Sequence, residues 1–138
     1  MTGRVLKRGF FMAMNKPIWI KIAAFSAALS VVLGAFGAHG LEGSLTPRSM
    51  ATFNTAVHYQ FLHSLALFAV VSLPDDLVNI RMRTWAARAF LVGMIIFSGS
   101  LYLLLFTGLS WLGMITPLGG IAFISGWALI FFSVKRPH

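Results

Sequence analysis

The apolar positions of the chain fall into four long runs, and nearly all of its charges are gathered in the stretches between and around them. The runs cover residues 18–38, 53–73, 85–106 and 111–134. A hydrocarbon core about 30 Å thick is crossed by about 20 apolar residues in helical form, so each run predicts one transmembrane helix. The alternating ten-residue segments of a membrane β-barrel are not the pattern here. The connections, residues 39–52, 74–84 and 107–110, are short enough to make sequence neighbours antiparallel. The expected fold is an all-α membrane protein, an up-down-up-down bundle of four transmembrane helices over residues 18–134.

Lysine and arginine near the spans predict its direction in the bilayer. A basic arm, residues 1–17, carries Arg4, Lys7, Arg8 and Lys16, with Lys21 close behind. The second connection carries Arg81 and Arg83, with Arg88 beside it, and the tail, residues 135–138, carries Lys135 and Arg136. The first connection holds only Arg48 and the third holds no basic residue. With four spans all three basic regions fall on one side, which predicts both termini in the cytoplasm. A missed or spurious helix would put basic regions on both sides.

Composition sharpens this picture. Hydrophobic residues make up 58% and charged residues 10% of the 138, against roughly 25% charged in a soluble domain. The net charge of +8 does not point to nucleic acid, because the basic residues flank apolar spans and suit an anionic bilayer surface. The chain has no cysteine, which excludes disulfides, thiolate metal sites and cysteine nucleophiles. The first apolar run is too long for a typical signal core and no clean Ala-x-Ala site follows it. Met12 and Met14 stand as alternative starts to Met1.

Four stretches carry a resemblance: LGAFGAHGL (33–41), YQFLHSLAL (59–67), FSGSLYLL (97–104) and ITPLGGIAFISGW (115–127). In combination they resemble the family called domain of unknown function 423, small bacterial inner-membrane proteins with an animal relative, transmembrane protein 256. The resemblance covers residues 14–134, and residues 1–13 look like an addition to the usual family start. It implies a four-helix membrane protein without an established activity, and it assigns no catalytic residue.

Any chemistry would have to sit in the outer half. With the first connection outside, the second helix runs inward from Phe53, placing His58 roughly 8 Å and His63 roughly 15 Å below the outer boundary. His39 ends the first helix beside Glu42. Ser98, Ser100 and Tyr102 lie in the outer half of the third helix, and Thr116 and Pro117 in that of the fourth. Thr52, Thr55, Tyr59 and His63 share one stripe of the second helix, and polar stripes in a span are expected to face the bundle interior. His39, His58, Tyr59, His63, Ser98, Tyr102 and Thr116 therefore form a candidate set. They are expected either to bond one another as interhelical glue or to line an outward-facing cavity for a small solute or a proton, since histidine titrates near neutral pH.

Other chemistry finds less to build on. His58 and His63 are about 140° apart around their helix, which does not suit one metal ion, and the staggered depths of the three histidines do not suit haem. Glu42, Asp75 and Asp76 all fall in connections, leaving no buried acid for a cation-coupled carrier. No nucleophile elbow or phosphate loop occurs. No cofactor is expected. Ser30, Gly34 and Ala38, and likewise Ala89 and Gly93, form small-residue rows for close helix packing. Pro117 removes a donor and Gly119 and Gly120 loosen the following turn, so a kink is expected in the fourth helix. The reading is a non-catalytic membrane helper or interaction subunit of the bacterial inner membrane, partnered by lipid and by a second copy or another membrane protein. The alternative is a channel or carrier built on the histidine cavity.

Overall fold

The computed structural model describes residues 14–137, which form four α-helices joined by short links. These are α1 (Lys16–Phe36), prolonged by a π-helical turn (Gly37–Leu41), α2 (Pro47–Ser72), α3 (Ile80–Thr107) and α4 (Leu112–Ser133). Residues 1–13, most of the expected basic arm and two of the three alternative starts, lie outside the described residues. Helices α1 with its π turn, α3 and α4 are each long and apolar enough to cross a membrane. Helix α2 is long enough, its 26 residues reaching about 39 Å, but it is diluted by Asn54, His58, Gln60, His63 and Ser64.

Local sequence explains where the helices begin and end, and why three begin ahead of the apolar runs. A side-chain oxygen that accepts from the free N–H groups of the first turn starts a helix wherever it stands, inside or outside an apolar run. Asn15 does this for Ile18 N–H at 3.4 Å, with Pro17 just inside α1. Thr46 does it for Ser49 N–H at 3.1 Å, with Pro47 opening α2. Asn79 does it for Met82 N–H at 3.1 Å and starts α3. Helix α2 therefore starts at Pro47 rather than Phe53, and α3 at Ile80 rather than Trp85. Lys16 and Pro17, expected in the basic arm, already belong to α1. Gly108, at φ 70°, closes α3 in the left-handed conformation that glycine adopts without strain.

Helices α2 and α3 form the middle of the domain. Leu67, Val71, Ala86, Ala87 and Phe90 are fully buried there, with Ala23 of α1 and Phe123 of α4 completing the core. Helix α1 leans on α2 and reaches Met94 of α3 through Ser26. Helix α4 packs closely on α3 at glycines. A Cβ placed on Gly119 would fall 2.5 Å from the Phe97 backbone nitrogen, and one on Gly126 would fall 2.6 Å from the Phe90 ring.

At one end of the domain the start of α1, the link from α2 to α3, the start of α3 and the end of α4 are tied together. The Asp75 carboxylate accepts from Arg83 at 2.7 Å and from Lys16 at 3.2 Å. The backbone carbonyl of Asp75 accepts from Lys135 at 3.4 Å. Val78 and Val134 form an antiparallel bridge, with Asn79 N–H donating to Ser133 and Lys135 N–H to Leu77. Arg83 was expected in a connection. It lies instead on the first turn of α3, is 2% exposed, and also donates to the Leu73 carbonyl at 2.6 Å.

Candidate functional site

Away from the Asp75 end, the polar side chains that bond across helices gather in three places among the described residues. The largest group centres on Gln60 in the middle of α2. Its side-chain amide donates to the Ser26 carbonyl of α1 at 3.2 Å and accepts from the Tyr102 hydroxyl of α3 at 2.7 Å. Ser64, one turn on, donates to the Ser26 hydroxyl at 2.7 Å. Ser98 closes the group on the α3 side by donating to the Ala56 carbonyl at 2.7 Å. One network thus joins three helices, and a cavity of about 300 Å³ opens beside it between α1 and α3. Sequence reasoning named Tyr102 and Ser98 but missed Gln60, Ser26 and Ser64. A signal existed: Gln60, Ser64, Leu67 and Val71 repeat at helical spacing, the stripe that faces the core.

The second group surrounds His63. The imidazole is 3% exposed and stacks on Phe123 of α4 with ring centroids 3.6 Å apart. Its Nδ1 lies 2.9 Å from the Tyr59 carbonyl, and its Nε2 accepts from the Trp127 indole at 3.2 Å. Tyr59, one turn back, packs on Phe97 at 4.6 Å. This is an aromatic joint between α2, α3 and α4, and Trp127 is its unforeseen member. The third group is a single contact, Ser100 to Thr116 at 2.6 Å, between α3 and α4.

The seven candidate residues are thus distributed among separate neighbourhoods. Ser98 and Tyr102 join the Gln60 network, Tyr59 and His63 the aromatic joint, and Thr116 the α3–α4 contact. His39 is exposed on the π turn. His58 is exposed and borders a groove between α1 and α2 together with Asn54. Thr55, placed on the same stripe as His63, is exposed and bonds the carbonyl one turn back on its own helix, as does Thr52. On a helix that advances about 100° per residue, Thr55 lies about 80° around from His63 and so falls off the buried face.

Pro117 lies inside α4, which continues as helix through it. Gly119 lies close against the Phe97 backbone of α3, while Gly120 faces open space. Among the described residues no group of three His, Cys, Asp or Glu side chains is placed to hold a metal ion. The buried polar groups bond to backbone carbonyls, on their own helix or a neighbouring one, and in a few places to one another across helices.

A family model described as "Protein of unknown function (DUF423)" matches residues 33–120. The UPF0382 membrane protein YwdK of Bacillus subtilis is 47% identical over 119 residues, 86% of this chain and 97% of that protein. The UPF0382 membrane protein SH2409 of Staphylococcus haemolyticus is 40% identical over 119 residues, 86% of this chain and 96% of that protein. The UPF0382 inner membrane protein YgdD of Escherichia coli is 33% identical over 123 residues, 89% of this chain and 93% of that protein. No solved structure matches. With three helices able to cross a membrane and relatives named as membrane proteins along nearly their whole length, this chain is a membrane protein of the DUF423 family.

Proposed function

We propose that this protein is a non-catalytic interaction subunit of the bacterial inner membrane that spans the bilayer four times with both termini in the cytoplasm. The observation that carries the reading is the use of the polar groups inside the helices. Gln60, Ser64, Tyr102 and Ser98 bond to one another or to neighbouring backbone, and both ring nitrogens of His63 are taken. Interhelical hydrogen bonds contribute about 0.6 kcal/mol each on average, so such a set holds helices in register. The histidine-lined cavity of the alternative reading would need these groups to converge on one space, and they fall into separate clusters.

Four passes rather than three are supported by α2 itself. Its length of about 39 Å exceeds the hydrocarbon core, and its most polar central residues, Gln60, His63 and Ser64, are buried among neighbouring helices rather than turned to lipid. Alternating direction is supported by the meeting of Lys16, Asp75, Arg83 and Lys135 at one end. That end also carries Arg81 and Arg136, the basic excess that favours the cytoplasm.

Two measurements test the reading. Reporter fusions are expected to place the tail after Val134 and the link around Arg81 in the cytoplasm and the link around Glu42 outside. A cytoplasmic Glu42 overturns the topology. Crosslinking in native membranes is expected to trap the chain with itself or with another membrane protein. A lone monomer after gentle extraction overturns the role.

A further inference from the structure

One face of the α1–α2 pair carries two exposed polar side chains within the helical span. Asn54 and His58 lie one turn apart on α2, both exposed, at the edge of a cavity of about 300 Å³ floored by Ser30 and Val31 of α1. Thr52 and Thr55 nearby satisfy their hydroxyls on their own helix. Asn54 and His58 have no hydrogen-bond partner among the described residues. An unpaired polar group facing hydrocarbon is costly, and it is relieved when a neighbouring helix supplies the missing bond.

The same face continues inward as one groove. A second cavity of about 260 Å³ is floored by Ala23, Ala24 and Ala27 of α1 and bordered by Leu65 and Phe68 of α2. The α2 positions 54, 58, 61, 65 and 68 repeat at helical spacing, so both cavities open on one side of the pair. The groove exists because α1 offers alanines and a serine there. Beside it, α2 raises a ridge of Phe61, Leu65 and Phe68, each between 39% and 50% exposed.

We propose that this groove receives a second copy of the chain, with the Phe61–Leu65–Phe68 ridge of each copy packed in the α1–α2 groove of the other and Asn54 and His58 pairing across the contact. The face is self-complementary in shape, since ridge and groove lie side by side on one surface, as a two-fold interface requires. It is also self-complementary in hydrogen bonding. A carboxamide carries donors and an acceptor and an imidazole carries a ring N–H donor, so the pair on one copy can bond to the same pair on another at equal depth. The inference rests on the reading of the protein as an interaction subunit and names its partner.

The chain has no native cysteine, so single-cysteine variants of the full-length protein test this directly in native membranes. Val31→Cys, Phe61→Cys and Leu65→Cys are expected to give crosslinked homodimers with a short thiol reagent. Ile124→Cys and Phe131→Cys, on the exposed face of α4, are expected to stay monomeric. Energy transfer between labelled copies in vesicles then measures the pairing. Asn54→Leu and His58→Leu are each expected to weaken it about threefold for each interhelical bond lost. His58→Gln, which keeps a donor and an acceptor, is expected to retain it, and it serves equally if a leucine variant fails to insert. Homodimers through α4 positions, or undiminished pairing in the doubly leucine-substituted chain, overturn the proposal. Adducts only with a different membrane protein overturn self-pairing and leave the interaction-subunit reading standing. Monomer at every position overturns both.

Discussion

Trp127 donates its indole N–H to Nε2 of His63 at 3.2 Å, and that contact selects the imidazole tautomer that carries its proton on Nδ1. An indole nitrogen can only donate, so Nε2 must accept, and Nδ1 is left to donate to the Tyr59 carbonyl at 2.9 Å. Both nitrogens are then occupied by partners on two helices. A proton arriving at Nε2 would displace Trp127, so this arrangement suits a joint better than a relay.

Replacing His63 by leucine is accordingly expected to leave insertion intact and to cost about 1–2 kcal/mol, the combined scale of one interhelical hydrogen bond and one aromatic stack. Trp127→Phe removes only the hydrogen bond and is expected to cost less. Reversible unfolding in mild detergent gives both values. The leucine variant is also expected to complement whatever phenotype deletion of the protein produces. A folded leucine variant that fails to complement would return His63 to the functional residues.

Gly119→Ala is expected to destabilise the protein by about 1–3 kcal/mol, the usual cost of overpacking. The added methyl would meet the Phe97 backbone nitrogen at 2.5 Å and its Cβ at 2.7 Å, and backbone cannot swing aside as a side chain can. Gly120→Ala is the matched control, since a Cβ there meets nothing within 4 Å. Thermal unfolding of the two variants side by side checks the difference, and equal behaviour would mean that α3 and α4 are not packed this closely.

Gln60 is expected to be the most sensitive polar position of the interior. Gln60→Leu strips partners from Ser26 and Tyr102 together, and each buried group left unpaired costs about 1–3 kcal/mol. Tyr102→Phe removes one hydroxyl and is expected to cost about 0.5–1.5 kcal/mol. A double-mutant cycle between the two positions should show coupling, because they share one bond.

The ion cluster at the Asp75 end predicts a stability that depends on pH. The hydrogen bond from Arg83, then that from Lys16, holds the Asp75 carboxyl below its ordinary value of 3.8. A carboxylate whose pKa is lower in the folded state stabilises the fold above its unfolded value and ceases to do so as the pH falls through the folded one. Stability is therefore expected to decline below about pH 4 through this group. Asp75→Asn should be less stable than the native chain at neutral pH and should lack this part of the acid decline. Unfolding midpoints taken between pH 3 and 7 check it, and parallel curves for the two proteins would count against the cluster.

Some of this was legible in advance. The apolar runs located the four helices, three of them apolar enough to cross a membrane, because apolar content along a segment is a local property. Helix starts were read late at Pro47 and Ile80, since the caps at Thr46 and Asn79 lie outside those runs and the first turns of α2 and α3 carry Arg48, Arg81 and Arg83. The buried Arg83 was beyond reach, because its burial depends on Leu73 and Asp75 curling back over the first turn of α3.

The sequence by itself determined the class of the molecule: an all-helical membrane protein of a recognisable family, with its polar side chains thinly spread along apolar helices. Those features follow from composition and spacing along one chain. Only the tertiary structure decided which polar groups meet. Depth brought His58, Tyr59, Gln60 and His63 to neighbouring levels, yet His58 faces a groove at the surface, Gln60 bonds to α1 and α3, and His63 turns to α4. The reason is angular. Neighbouring residues on a helix point about 100° apart, so a partner is chosen by the rotation of each helix about its axis. That rotation is set by where α1 and α4 dock on the central pair, through contacts such as Gly119 against Phe97 and Ser26 against Gln60.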